Sequence, residues 1–198
     1  MGKPIIDTLD SYNGFHTKFT SLQTSLHILF ELADSAVLPY NLENFPKAMK
    51  ETMDVLEKNN VTKLLEDNNA SLKFVKEAIA EFETAASEFM AKLEDVKQSH
   101  NPMELRMIND QMMQLERVFM MPAGLPGRPD VRNAIFAPGK FNSYAGAAFP
   151  GISDLLHEID GLDSEAKKDR WKDIRRHVSD LMIMIKEAAR FLRPVEQI

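Results

Sequence analysis

The chain has 198 residues, 44% of them hydrophobic and 27% charged, which suffices for one large domain or two small ones and excludes disorder throughout. Its 24 basic and 30 acidic residues give a net charge of −6, a poor balance for nucleic-acid binding, where phosphate contacts need clustered cations. The absence of cysteine excludes disulfides, thiolate metal ligands and a cysteine nucleophile.

No apolar run approaches the roughly 18 residues of a membrane span, and the opening MGKPIIDTLDSYNG shows no signal-peptide pattern. Residues 1–14 read as an N-terminal segment, flexible or non-native, ahead of one domain over 15–198. Phe15, Phe19, Leu22, Leu26, Leu29 and Ala33 alternate spacings of four and three, which predicts a helix with one apolar stripe. Pro39 follows its end. Phe45, Met49, Met53 and Leu56 mark a shorter accessory helix over 46–58.

Asn60-Val61-Thr62 and Asn69-Ala70-Ser71 are glycosylation sequons, although chance supplies roughly one in such a chain. Both fall near an expected turn, and they lean toward an extracytoplasmic parent. A second long stripe follows: Leu72, Val75, Ile79, Phe82, Ala86, Phe89, Leu93 and Val96. Asn101, Pro102 and Glu104 then form a helix start, with Asn101 as cap. Leu105, Ile108, Met112, Leu115 and Phe119 make the third stripe. The surrounding methionines, Met103, Met107, Met113, Met120 and Met121, suit core filling and partner packing better than a soft ligand groove.

Between Pro122 and Gly151 lie five prolines and five glycines, so no continuous helix can form. Leu125, Val131, Ile135, Phe136, Phe141, Tyr144 and Phe149 are interleaved, which predicts a packed, functional loop. A short helix carrying Ile152, Leu155, Leu156 and Ile159 comes next. The last stripe is Trp171, Ile174, Val178, Leu181, Ile185, Ala188 and Leu192, with Asp163 or Ser164 as cap and Pro194 beyond its end. Its lysines and arginines alternate with acids, as on a solvated, salt-bridged face. Four stripes of similar length predict an all-α four-helix bundle, with the 122–151 loop between the third and fourth main helices.

Catalytic signals are missing. The five histidines, His16, His27, His100, His157 and His177, lack the His-Glu-x-x-His spacing of a zinc helix. No phosphate loop, nucleophile elbow or Glu-x-x-His diiron motif appears. The expectation is no catalytic residue and no metal ligand in this chain.

Three runs carry a resemblance: LRMINDQMMQLERVF (105–119), GLPGRPDVRNAIFAP (124–138) and NSYAGAAFPGISDLL (142–156). With FELADSAVLPY (30–40), they closely resemble the C-terminal helical dimerisation domain of the glutamate carboxypeptidase II and transferrin receptor family. The resemblance spans roughly 15–193. It implies a non-catalytic domain that forms homodimers and joins peptidase and apical domains in a parent zinc metallopeptidase. The zinc would belong to the peptidase part. The parent would be extracellular, or membrane-anchored with an extracellular or luminal ectodomain; this segment itself would touch neither membrane nor nucleic acid.

In glutamate-preferring members of that family, an Asn-Lys-Tyr run enters the substrate pocket. The matching residues here are Asn142, Ser143 and Tyr144. Tyr144 keeps a phenolic donor, but Ser143 removes the ammonium, and a charge-assisted bond is about twice as strong as a neutral one; selectivity for glutamate is accordingly weakened. Ile79-Ala80-Glu81 stands where transferrin receptor carries Arg-Gly-Asp, which favours the peptidase branch. The alternative reading is a free-standing helical interaction module with no peptidase partner.

Overall fold

A computed structural model describes the backbone of residues 5–99, 101–141 and 148–193, and side chains over 20–98, 101–141 and 148–193. The chain divides into two compact units, 1–40 and 41–198. Among the described residues all regular structure is helical.

The first unit holds α1 (Ile5–Asp34). Leu22, Leu26 and Leu29 of its apolar stripe are exposed, and so is Phe30 beside them. Within this unit no described element covers the stripe.

The second unit holds α2 (Asn44–Lys58), α3 (Val61–Asp67), α4 (Lys73–Ser99), α5 (Pro102–Val118), α6 (Pro150–Leu156) and α7 (Ser164–Leu192). A 3₁₀ turn at Ile159–Gly161 precedes α7. The central pair is α4 against α7; α2 packs on α4, α5 on both, and α6 on α7. All eight stripe residues from Leu72 to Val96 are buried, as are all seven from Trp171 to Leu192. Each such aliphatic or aromatic side chain larger than alanine contributes about 1.5–3 kcal/mol. Met49, Met53 and Leu56 are buried too, so α2 is a core element of this unit rather than an accessory.

Local signals set the boundaries. The Asn101 side chain accepts from Met103 N at 3.1 Å. Asp163, not Ser164, caps α7, accepting from Glu165 N at 3.0 Å and Ala166 N at 2.9 Å. The helix α3 was not apparent from periodicity. Seven residues with one buried side chain, Leu65, are too few to show a period. Asn60, at φ 58°, breaks the chain between α2 and α3.

After α5 the chain folds back on itself. Met121 N donates to Arg132 O at 2.8 Å, and Ala134 N to Phe119 O at 2.9 Å. Gly124 turns the hairpin at φ +74°, and a β-carbon there would lie 2.6 Å from Pro129 Cα. Only glycine meets both demands. The returning segment carries Phe136 to Phe45 (ring centroids 5.6 Å apart) and to Phe119 (6.4 Å). Phe119 in turn meets Phe82 of α4 at 6.0 Å. Aromatic edges thus seat the loop on the helices.

Candidate functional site

The described parts of the 122–151 loop are held by polar contacts at both ends. Arg128 Nη1 donates to Pro138 O at 2.7 Å and to Asp154 Oδ2 at 2.9 Å. Both side chains of this ion pair are largely buried, at 14% and 8% exposure. The other carboxylate oxygen, Asp154 Oδ1, accepts from Lys140 N at 2.8 Å. One aspartate on α6 therefore fixes the turn at Arg128 and the chain at Lys140. An arginine–carboxylate bond shielded from water is a strong, directional contact.

At the far end, Ala148 N donates to Thr52 Oγ1 at 3.0 Å, and Phe149 N to Ile135 O at 3.0 Å. Phe149 is fully buried with φ 63°, a conformation that costs a bulky residue about 1–3 kcal/mol and persists only where its surroundings impose it. Pro150 then opens α6 at its first turn.

Beneath α6 lies His177 of α7, 1% exposed. Neither ring nitrogen has a hydrogen-bond partner among the described residues. Burial lowers its pKa to about 4, so the ring is neutral near pH 7. No local pattern marks this burial, because a histidine three residues from Ile174 can lie on the edge of a stripe or within it.

An open cleft of about 340 Å³ sits at the foot of the loop. Lys140 and Arg170 line it together with Glu158 and Asp173. Phe141 stacks on His157 at the rim, centroids 3.6 Å apart and planes within 9°. Lys140 Nζ stands 5.3 Å from the Phe141 ring centre, within cation–π range. Arg170 Nη1 donates to Leu155 O at 3.1 Å, which fixes the guanidinium against the wall.

Asn142, Ser143 and Tyr144 lie outside the described residues. The two sequon asparagines, Asn60 and Asn69, flank α3; both are exposed and both have positive φ. Among the described residues no three His, Asp or Glu side chains converge as metal ligands, and no helix is long and apolar enough to cross a membrane. Sequence reasoning missed the Arg128–Asp154 pair and the cleft. Their available signal was an arginine inside an otherwise apolar Pro/Gly turn, a charge that needs a buried partner if the turn packs.

The chain matches the transferrin receptor-like dimerisation domain model over residues 70–193. It is 29% identical over 183 residues to the aminopeptidase NAALADL1 of Rattus norvegicus, covering 92% of this chain and 24% of that protein. A probable glutamate carboxypeptidase, LAMP1 of Arabidopsis thaliana, is 24% identical over 166 residues, covering 84% of this chain and 23% of the relative. A probable glutamate carboxypeptidase of Arthroderma benhamiae is 30% identical over 146 residues, 72% of this chain and 20% of its own. The chain therefore spans about a quarter of the length of these relatives.

Proposed function

This chain belongs to the transferrin receptor-like dimerisation domain family, and from that premise we propose that it is the non-catalytic helical domain of a zinc metallopeptidase of the glutamate carboxypeptidase type. In this reading it brings two copies of the parent together. It also lends the 122–151 loop to the parent's substrate pocket, with Asn142, Ser143 and Tyr144 as the contributing residues. Zinc and the general base belong to the peptidase part.

The observation that supports this best is the match over 70–193, which takes in both α4 and α7 and the whole loop between α5 and α6. The relatives named as peptidases align with this chain over 146 to 183 residues. The anchoring of the loop by Asp154 and Thr52 suits a segment that must present side chains in fixed positions. Tyr144 would donate its phenolic hydrogen to a substrate carboxylate. With Ser143 in place of a lysine, preference among C-terminal residues would be broad.

The exposed asparagines at the ends of α3 support a parent that traverses the secretory route and carries glycans at Asn60 and Asn69. The parent's mass by light scattering, with and without this domain, tests the dimer. A dimer that becomes monomeric on deletion supports the reading, and an unchanged dimer opposes it. Tyr144→Phe in the parent tests the pocket: KM for a peptide with a free carboxyl end should rise with little change in kcat.

A further inference from the structure

We propose that the cleft at the foot of the loop is a binding site for a small zwitterion, a free amino acid or a dipeptide. Its volume of about 340 Å³ is at the lower end of small-molecule sites, too small for a folded partner and ample for one or two amino-acid residues. Its walls carry both signs of charge. Lys140 and Arg170 supply cations, and Glu158 and Asp173 supply carboxylates.

Asp154, although it also lines the cleft, is already occupied by Arg128 and by Lys140 N. Asp173 has only a loose contact with Arg176, 3.8 Å away. Arg170 spends one N–H on Leu155 O, and a guanidinium has five. A ligand with a single charge would be attracted by one pair and repelled by the other. A ligand carrying an ammonium and a carboxylate meets both. Pro126, Leu155 and Leu162 complete the lining and offer an apolar wall to a side chain. The Phe141–His157 stack gives the rim a flat, preformed edge.

The origin of such a ligand rests on the peptidase reading above, since peptide hydrolysis releases molecules of this class. Occupancy of the cleft would then stabilise Lys140 and Asp154, the groups that anchor the loop. Binding itself does not depend on that reading and can be measured on the 198-residue chain alone. Its failure leaves the dimer intact, and loss of the dimer leaves the cleft intact.

The test is an amide-detected NMR titration with L-alanyl-L-alanine, its N-acetyl form and its C-terminal amide. The expected result is saturable shifts at Gly127, Lys140 and Leu162 with the dipeptide, and about tenfold weaker binding once either end charge is blocked. Lys140→Ala, an exposed position that spares the core, should weaken dipeptide binding by a similar factor; Arg170→Ala should do so in a chain whose spectrum stays dispersed. No shift at about 10 mM dipeptide, beyond the millimolar range of weak ligands, would overturn the proposal. So would equal shifts from the blocked forms, or dipeptide shifts unaltered by Lys140→Ala.

Discussion

Gly151 lies so close to the imidazole of His177 that a β-carbon on Gly151 would fall 2.2 Å from Nε2, and 2.8 and 2.9 Å from the neighbouring ring carbons. The first turn of α6 is thereby laid directly on α7, at the point where the long loop rejoins the helices. The residue pair converts a missing side chain into a docking surface. Gly151→Ala should destabilise the chain by about 1–3 kcal/mol, the usual cost of overpacking. In a His177→Ala background the same change should cost much less, because the ring is gone. Chemical denaturation of the four proteins measures the coupling; strict additivity would mean that the two residues do not press on each other.

Buried His177 also predicts a pH dependence. Burial depresses its pKa from 6.5 to about 4, so between these values the unfolded chain binds a proton that the folded chain refuses. Stability is then complete above about pH 6.5 and falls as the pH drops toward 4, by about 3 kcal/mol for this group. Asp180 acts in the opposite sense within the carboxylate range, because burial raises its pKa although Arg176 opposes the rise. His177→Leu removes the histidine window and two unpaired ring nitrogens. Thermal melts of this variant should lose the slope between pH 6.5 and 4, and at neutral pH its Tm should increase, since an unpaired buried polar group costs about 1–3 kcal/mol.

The Arg128–Asp154 pair should behave as a buried ion pair. Breaking it from one side strands a charge, so Asp154→Ala should cost about 3–5 kcal/mol. Arg128→Lys should also be costly, because both bonds leave Nη1 and the shorter lysine arm does not bring its nitrogen to that position. Urea titration checks both. A loss below about 0.5 kcal/mol for Asp154→Ala, typical of an exposed pair, would contradict the buried assignment.

Thr52 is a smaller test of the same anchoring. Its hydroxyl donates to Ala48 O and accepts from Ala148 N, both at 3.0 Å. Thr52→Val keeps the shape and leaves the Ala148 N–H without that acceptor, at an expected cost of about 1–3 kcal/mol. Hydrogen exchange should show the Ala148 amide losing protection more than amides in the middle of α4.

Much of the helical core was legible in the sequence because a stripe such as Leu72 to Val96 has only one way to lie on a helix. The cap at Asn101 was legible for the same reason: side-chain chemistry and chain position coincide there. The stripe of α1 was equally legible as a helix, since periodicity records amphipathicity. Conversely, α2 looked secondary because it is short, yet Met49 and Met53 are core residues. The Arg128–Asp154 pair, the Phe45–Phe136 contact and the neutral His177 depend on residues far apart in the chain, and no local pattern encodes such meetings. The resemblance of the loop motifs pointed to the family directly, while the cleft between Lys140 and Arg170 arises only from the fold.

Self-association is the property on which the dimerisation reading stands, and sedimentation equilibrium of the 198-residue chain measures it directly. Over a range reaching about 100 µM, ample for an affinity in the micromolar class, the weight-average mass is predicted to climb to twice the 22.5 kDa of a single copy. A mass that stays at 22.5 kDa across the whole range would contradict it.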